Sequence, residues 1–390
     1  MKTRTRVTHP PRVEVPRDNR PLVDPIYQSV KFTFDDVGET QRYWRREREG
    51  FYYSRSSNPT LSQLERMLGQ MQGRDDCLLT ASGIAAITVA MLALLKAGDH
   101  VVYFAEMYQP TRVLIRRVLG RFGVSSTMLS IDDLEGLDRV LAQIPTRLLA
   151  FESPTNPVLK VANIARITSM ARAHGALTLL DNTVGGLHNH GSFDVDVFAH
   201  SLTKYASGHG DVMGGAVIAR HELIERMRSD APILGSTLDP HAAFLILRGL
   251  KTYFLRWDAQ SRNAMRVAEF LQSHPAVERL RYPGLPEDEG HDLACAQMDG
   301  FGALLAVDLR GGLDAGTRFA EALELFAITA SLGSTESLVV APVMQQPRDL
   351  TGEQRRWSAI GPGTVRLSIG AEDADDLLED LGRALEQAGS

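Results

Sequence analysis

Residues 148–182 read LLAFESPTNPVLKVANIARITSMARAHGALTLLDN, in which two short apolar runs flank one longer mixed stretch. The runs at residues 148–151 and 177–180 have the length and composition of buried strands, and residues 164–174 between them are predicted to form a helix. This order favours two parallel strands of one sheet, because parallel neighbours need a long crossover connection. The segment therefore predicts an α/β fold.

The same alternation extends towards the N-terminus. Short apolar runs at residues 77–80 and 101–104 are predicted to be further strands, and residues 85–96 and 113–121 are predicted to be helices. Strands that alternate with helices favour parallel pairing, with helices on both faces of the sheet. We therefore expect a mostly parallel sheet covered by helices.

The chain of 390 residues is long enough for two domains and an extension. Residues 1–50 are rich in Arg and Pro and lack sustained periodicity, which predicts an N-terminal arm that wraps around a neighbouring subunit or lies loose. Residues 51–248 are assigned to the large domain and residues 249–390 to a smaller α+β domain. In this last part we expect helices at residues 257–274 and at about 373–387, and strands at residues 303–308 and 364–369.

Composition limits the classes of function. Hydrophobic residues make up 44% of the chain and charged residues 23%, as in ordinary globular proteins. A net charge of −6 gives no general attraction to nucleic acid, and the apolar stretch at residues 84–95 is too short to cross a bilayer, which takes about 20 residues. The two cysteines exclude a disulfide framework and favour a reducing compartment. We expect a cytoplasmic enzyme with no membrane or nucleic-acid partner.

Polar side chains follow the predicted strands at the positions where ligands bind to a parallel sheet. In such sheets the binding crevice lies beyond the carboxyl ends of the strands. Tyr108, Asn156, Asp181 and Lys204 each come after an apolar run. One crevice would thus hold an aromatic ring, an amide, a carboxylate and an amine, which is a set that suits a heteroaromatic aldehyde.

Lys204 is the candidate that would capture such an aldehyde. A lysine condenses with an aldehyde only as the neutral amine, so its site must lower its pKa. Asp181 would pair with a pyridine nitrogen and Tyr108 would stack on the ring. Most lysines are solvated surface groups, but a lysine at the end of an apolar strand favours the reactive interpretation.

A phosphate group would find donors at the turn TASGIA, residues 80–85. Free N–H groups at the start of the following helix, near Gly83 and Ile84, favour an anion, and Ser201 and Thr203 can add hydroxyls. The alternative is a tight turn in which Ser82 caps the helix. The turn by itself supports both interpretations.

Ten short motifs occur along the chain in a fixed order. They are YYSRSSNPT (52–60), ASGIA (81–85), ESPTNP (152–157), LDNT (180–183), SLTKY (201–205), GHGD (208–211), GLKT (249–252), YPGL (282–285), SLG (331–333) and RLSIG (366–370). In this order they resemble the Cys/Met-metabolism branch of fold-type I pyridoxal-phosphate (PLP) enzymes, and the resemblance extends from about residue 21 to the C-terminus. This branch includes cystathionine γ-synthases, cystathionine β- and γ-lyases, methionine γ-lyases and homoserine-ester sulfhydrylases.

The resemblance implies a role for each matching position. Lys204 would form the Schiff base with PLP and then act as the base, with Asp181 at the pyridine nitrogen and Tyr108 on the ring. Tyr53 and Arg55 would reach the phosphate of the adjacent subunit, which implies a homotetramer built from two dimers with shared active sites. The remaining implied cofactor contacts are Gly83, Ile84, Ser201, Thr203 and Thr183. The implied substrate contacts are Arg366, as a two-pronged partner of the carboxylate, Asn156, Ser331 and Tyr52.

Departures from the family pattern concern the substrate. Gln109-Pro110 replaces a small pair after the stacking tyrosine, residues 341–347 lack the usual histidines, and Tyr52 and Ala330 stand where several cystathionine-handling members have glutamate. We therefore predict a carbon–sulfur lyase that catalyses β- or γ-elimination on a substrate resembling cystathionine, methionine or homocysteine. The alternatives are γ-replacement on an O-acylhomoserine, aminotransfer, and a non-catalytic PLP-binding protein.

Four histidines lie close in sequence to Lys204 and raise the question of a metal. Their spacing fits no zinc pattern and no cysteine joins them, so we expect loop or supporting histidines and no metal site. They are His188, His190, His200 and His209.

Overall fold

The computed structural model describes residues 2, 18–19 and 21–389, so most of the predicted arm before residue 21 lies outside the described residues. The chain up to residue 250 forms the large sheet and its helices. In chain order these elements are α1 (Val37–Trp44), α2 (Pro59–Gln72), β1 (Asp76–Thr80), α3 (Gly83–Leu94), β2 (His100–Phe104), α4 (Gln109–Val113), β3 (Ser125–Leu129), α5 (Leu134–Gln143), β4 (Leu148–Glu152), α6 (Ile164–Ala173), β5 (Leu177–Asp181), β6 (Val197–Ser201), β7 (Gly215–Ala219), α7 (His221–Leu234) and α8 (Pro240–Leu250).

The large sheet has seven strands in the order β1-β7-β6-β5-β4-β2-β3. Every residue of β2 and β4 is buried, as expected for apolar strands with helices on both faces. The pairs among β2 to β6 are parallel, which confirms the predicted mostly parallel sheet. Only β7 runs against both of its neighbours, because a loop without a helix joins it to β6.

The rest of the chain forms a second, smaller sheet of five strands in the order β10-β11-β12-β9-β8. Its pairs are antiparallel except for β10 with β11, so the predicted α+β character is confirmed. The elements are α9 (Tyr253–Gln272), β8 (Val277–Arg281), α10 (His291–Gln297), β9 (Leu304–Leu309), α11 (Gly312–Ala322), β10 (Ala327–Ile328), β11 (Leu338–Val340), α12 (Pro342–Gln345), α13 (Gly352–Ser358), β12 (Thr364–Ser368) and α14 (Ala374–Gly389).

Two details differ from the sequence-based expectation. The helix predicted at residues 113–121 is irregular, because α4 continues into a π-helical turn (Leu114–Val118) and a 3-10 turn (Leu119–Phe122). Residue 248, the predicted end of the large domain, lies within α8, and the division into three parts remains a prediction. Among the helices of the described residues, none combines the length and the apolar character needed to cross a membrane.

Candidate active site

A cavity of about 420 Å³ lies at the carboxyl ends of the parallel strands, between the two sheets. Its volume is typical of a small-molecule site. The four polar residues predicted from their positions after strands all line it, namely Tyr108, Asn156, Asp181 and Lys204. The parallel strands thus bring together side chains that are up to 96 positions apart in sequence.

Lys204 lies in the loop after β6, with its amine in the cavity. Its Nζ donates a hydrogen bond to Ser331 Oγ at 2.9 Å. Burial, followed by the charge of Arg366, lowers the pKa of Lys204 to about 8. The backbone of Ser331 has φ of 87°, which is rare for a residue other than glycine and marks a constrained position beside the amine.

The loop that carries Lys204 is held by a buried arginine of α9. Arg256 donates hydrogen bonds from Nη1 to the carbonyl of Tyr205 at 3.0 Å and from Nη2 to that of Gly249 at 2.8 Å. The N–H of Gly208 donates to the Lys204 carbonyl at 2.9 Å. These bonds fix the backbone on both sides of the reactive side chain.

Arg366 on β12 is buried beside Lys204 and contacts two other predicted substrate-binding residues, Asn156 and Ser331. Its Nη1 donates to Asn156 Oδ1 at 2.8 Å, and its Nη2 donates to the Ser331 carbonyl. Its Nε is buried without a hydrogen-bond partner among the described residues. Burial lowers the pKa of Arg366 to about 10, so the guanidinium remains a cation at neutral pH.

Asp181 ends β5 and is oriented by Thr183. Asp181 Oδ1 accepts hydrogen bonds from the Thr183 hydroxyl at 2.6 Å and from the Thr183 N–H at 3.1 Å. The Thr183 hydroxyl in turn accepts from the N–H of Ser201 at 2.8 Å. Burial raises the pKa of Asp181, an effect that the bonds from Thr183 oppose.

Glu152 is a site residue that the sequence analysis did not single out. This buried carboxylate accepts hydrogen bonds from the N–H groups of Tyr108 and Asn156, each at 2.8 Å, and so joins the segments that follow β2 and β4. Burial, followed by the charge of Asp181, raises the pKa of Glu152 well above its usual value. Glu152 is the last residue of β4, and an acidic residue at the carboxyl end of a parallel strand could have indicated a site residue.

The start of α3 forms one end of the cavity, together with Ser201 and Thr203. Ser82 caps the helix by accepting the N–H of Ala85 at 3.3 Å, as the capping interpretation expected. A Cβ added to Gly83 would lie 2.6 Å from the Cβ of Ser201, so only glycine permits this close approach. The first N–H groups of a helix have no intrahelical acceptor, and Gly83 and Ile84, the first two residues of α3, both line the cavity.

Three predicted site residues do not line this cavity. Tyr52, Tyr53 and Arg55 are exposed on the segment before α2. Tyr52 packs against Trp44 with ring centroids 5.2 Å apart, and Arg55 lies over the ring of Tyr53. Tyr52 therefore does not line the cavity of its own chain, and its role as a substrate contact remains a prediction.

The part of the cavity wall contributed by the chain between β11 and β12 is mostly apolar. We call it the distal wall, and it comprises Val340, Met344, Gln345, Pro347, Ser358 and Ile360. Two charged residues that line the cavity near it are already paired. Arg112 binds Asp349 at 2.7 Å, and Glu106 binds Lys160 at 2.9 Å.

The histidines near Lys204 in sequence have structural partners. His200 Nε2 bonds to Gln72 Oε1 and His190 Nδ1 to Asn182 Oδ1, each at 2.7 Å, and burial lowers the pKa of His200 to about 3 and that of His190 to about 4. These contacts agree with supporting histidines. The expectation of no metal remains a prediction.

Comparisons with known proteins agree with this site. The profile of the family described as Cys/Met metabolism PLP-dependent enzyme matches residues 6–386. An L-methionine gamma-lyase of Pseudomonas putida is 40% identical, over 93% of this chain and 92% of that protein. A chloroplastic cystathionine gamma-synthase of Arabidopsis thaliana is 34% identical, over 94% of this chain and 65% of that protein. A cystathionine gamma synthase structure from Xanthomonas oryzae pv. oryzae, in complex with aminoacrylate and cysteine, has a TM-score of 0.89 at 35% identity and covers 94% of each chain.

The chain belongs to the family of Cys/Met-metabolism PLP-dependent enzymes. It is therefore an enzyme of the transsulfuration type with the fold-type I architecture, and PLP is its cofactor. The resemblance stated from the ten motifs is confirmed.

The residues present fit this cofactor. The cavity offers an amine of lowered pKa, a carboxylate held in place by a threonine, an aromatic side chain and a helix N-terminus. A glycine-only contact brings that helix start to Ser201. These four groups match the four parts of PLP. The amine suits its aldehyde, the carboxylate its pyridine nitrogen, the aromatic side chain its ring face, and the helix N-terminus its phosphate.

Proposed function

We propose that this enzyme is a carbon–sulfur lyase for an amino acid with an uncharged, sulfur-containing side chain, such as methionine or homocysteine. γ-Elimination on methionine would consume one water and release methanethiol, 2-oxobutanoate and ammonia. The observation that carries this choice is the distal wall. Its lining is mostly apolar, and the nearby charges of Arg112 and Glu106 are already paired with Asp349 and Lys160.

Cystathionine is a weaker fit to the same wall. Its distal end carries both an ammonium and a carboxylate, and burying either without a partner is costly. Ala330 offers no acidic group to the ammonium, and Gln109 and Gln345 offer only neutral amides. We therefore place cystathionine behind methionine and homocysteine as a substrate.

We assign the cofactor to the residues that line the inner cavity. Lys204 would bind the aldehyde, Tyr108 would lie against the ring, and Asp181 would hold a proton at the pyridine nitrogen through the oxygen that Thr183 leaves free. When bound, PLP supplies a ring that withdraws electrons from the substrate's Cα. The phosphate would bind the N–H groups of Gly83 and Ile84 and the hydroxyls of Ser201 and Thr203.

The substrate carboxylate is assigned to Arg366. The buried guanidinium has a free Nε and would form a two-pronged, charge-assisted pair. Asn156 orients Arg366 through its side-chain oxygen, and Ser331 holds the Lys204 amine next to it. This places Cα of a bound amino acid between the carboxylate site and Nζ.

Lys204 would move the protons of the reaction. As a free, neutral amine, Nζ would take the proton from Cα of the substrate and return it further along the side chain. Ser331 Oγ, which accepts a hydrogen bond from Nζ, would steer the amine between these carbons. The lowered pKa of Lys204 keeps a useful fraction of the amine neutral near pH 7.

γ-Replacement on an O-acylhomoserine is the second candidate. An acyl ester is also uncharged and would suit the same wall, and the Xanthomonas oryzae cystathionine gamma synthase is similar over 94% of the chain. In this case the bond between the γ-carbon and the ester oxygen would break and release the acyl group as a carboxylate. A thiol would then lose its proton and bond to the γ-carbon, and the hydrolysis that completes γ-elimination would not occur.

We further propose a homotetramer in which each active site is completed by a neighbouring chain. Tyr53 and Arg55 are exposed and lie outside their own chain's cavity, which supports a role at the neighbour's phosphate. Exposed apolar side chains on the same segment, including Tyr27, Val30 and Trp44, support its burial against a partner. We also propose a cytoplasmic location, which the two free cysteines support.

An assay of products separates the candidates. The purified holoenzyme would be incubated with methionine, homocysteine, cystathionine, or O-acetylhomoserine plus a thiol, and 2-oxo acid and thioether would be measured. We expect 2-oxobutanoate from methionine or homocysteine. Thioether from the acylated substrate without oxo acid from the others would establish γ-replacement, and turnover of cystathionine alone would contradict the proposal.

A further inference from the structure

We propose that Asp349, bound by Arg112 and Arg116, is a positioning residue that holds the distal wall against the Tyr108 turn and so sets the affinity for long substrate side chains. This inference deepens the proposed function and rests on its assignment of the cavity. It concerns residues that the family motifs do not include.

The contact is bidentate and connects two distant parts of the chain. Arg112 donates from Nε and Nη2 to the two carboxylate oxygens of Asp349 at 3.0 and 2.7 Å. Arg116 donates from Nη2 to Asp349 Oδ2 at 2.6 Å and to the Asp349 carbonyl at 2.8 Å. The cluster therefore fixes both the side chain and the backbone of Asp349.

The same arginine also fixes the turn that presents Tyr108. The Nη1 atom of Arg112 donates to the carbonyls of Ala105, at 2.9 Å, and Met107. Arg112 is thus bonded on one side to the residues just before Tyr108 and on the other side to the segment that carries the distal wall. Arg112 therefore anchors the distal wall to the Tyr108 turn.

The contact of Asp349 with the two arginines matters for substrate binding because of where the distal wall lies. The wall leaves the small sheet at Val340, which is the register partner of Arg366. It therefore begins beside the proposed carboxylate site and continues through Met344, Gln345 and Pro347 to Asp349. A side chain that extends away from Arg366 would lie along it.

The buried guanidinium of Arg112 needs the negative charge of Asp349 as its partner. The side chains of Arg112 and Asp349 are only 5% and 9% exposed. Removal of the carboxylate's charge would leave two guanidinium groups without compensation, and a buried unpaired charge draws in water or moves its segment. The distal wall is the part free to move, because Arg112 remains bonded to the Tyr108 turn.

The test measures affinity for amino acids that have no leaving group. Alanine, 2-aminobutyrate, norvaline and norleucine would be titrated into the holoenzyme, with binding followed by visible absorbance. In the wild type we expect affinity to rise by up to about fourfold for each added methylene that contacts the wall. In Asp349→Asn we expect norleucine to bind about tenfold more weakly, while alanine stays within about twofold.

A second readout does not depend on the cofactor. Amide hydrogen exchange of residues 343–350 should become at least about tenfold faster in Asp349→Asn, because the segment has lost its anchor. The matched control is Asp375→Asn, which breaks an exposed ion pair with Arg266 and should change neither measurement.

The outcomes decide between a positioning and a general structural role. An equal loss of affinity for alanine and norleucine, or unchanged affinity for both, would overturn the proposal. If Asp349→Asn does not fold, the variant Arg116→Met replaces it in the test. The side chain of Arg116 is 32% exposed, and its removal leaves the Arg112–Asp349 pair in place. This variant should lower the affinity for norleucine by about threefold and leave the affinity for alanine unchanged. A wild type that binds norleucine but releases no oxo acid from methionine or homocysteine would contradict the proposed lyase and leave this test valid.

Discussion

Lys204 shows how one side chain acquires its reactivity from its surroundings. The amine is partly buried, it faces the Arg366 cation, and it donates to Ser331 Oγ. Burial and the neighbouring cation both disfavour the ammonium form, which lowers the pKa of the lysine from 10.5 to about 8. At neutral pH a usable fraction of the amine is therefore free to attack an aldehyde.

The pH dependence of cofactor capture follows from this shift. Only the neutral amine reacts, so the rate at which the apoenzyme captures added PLP should rise about tenfold per pH unit below 8 and level off above it. Stopped-flow absorbance would give the profile, with the α-acetyl amide of lysine as the unperturbed control. A rate that kept rising to pH 10 in the protein would contradict the assigned environment.

Four residues of the active site were predicted from the sequence, and Glu152 was not. Tyr108, Asn156, Asp181 and Lys204 were predicted because parallel strands deliver the residues after them to one edge. Glu152 was passed over although it ends β4, because an acid at a strand end is equally suited to solvent. Its burial depends on the segments of Tyr108 and Asn156, which fold over it only in three dimensions.

The loop between β6 and β7 is the element that positions the reactive lysine. Gly208 has φ of 71° in this loop, and a Cβ there would lie 1.7 Å from Nη1 of Arg256. The side chain of Arg256 cannot retreat cheaply, because it is buried and bonded to the carbonyls of Tyr205 and Gly249.

Substitution of this glycine tests the role of the loop. Gly208→Ala should lower the free energy of unfolding by about 2 kcal/mol or more, from backbone strain and from displacement of Arg256, and should weaken PLP retention. Thermal denaturation measures the first effect. The control is Gly120→Ala, where an added Cβ meets nothing within 4 Å and stability should stay within about 0.5 kcal/mol. Equal melting temperatures for both variants would contradict this account.

Local sequence patterns predicted individual strands and helices but not the contacts between distant parts of the chain. The strands β1, β2, β4 and β5 and the helix α6 follow from apolar runs and helical periodicity, and their observed bounds agree closely. The reversed direction of β7 depends on a connection without a helix. The bond between Arg112 and Asp349 joins residues 237 positions apart, which no local pattern indicates.

At the scale of the whole molecule, the active site is proposed to be incomplete in one chain. Tyr53 and Arg55 match family positions at the phosphate, yet they lie outside their own chain's cavity. A homo-oligomer resolves this, because a two-fold contact lets each chain supply the same residues to its partner.

Complementation between two variants tests this arrangement. Arg55→Ala and Lys204→Ala should each be nearly inactive alone, but hybrids should regain activity, since one of their two sites has both intact residues. Random pairing predicts about a quarter of the wild-type activity after co-expression. Recovery should be absent when Lys204→Ala is paired with Asp181→Ala, because Lys204 and Asp181 line the cavity of the same chain and every site of this hybrid lacks one of them. A hybrid of Arg55→Ala and Lys204→Ala without any recovery would contradict the shared site.

The covalent link to the cofactor is the claim on which the other assignments depend. The holoenzyme would be reduced with borohydride, digested, and mapped by mass spectrometry, with Lys204→Ala treated in parallel. We predict a pyridoxyl group on the peptide that contains Lys204 and none in the variant. A label on another lysine, such as Lys160, whose ammonium is paired with Glu106, or no label at all, would contradict the account.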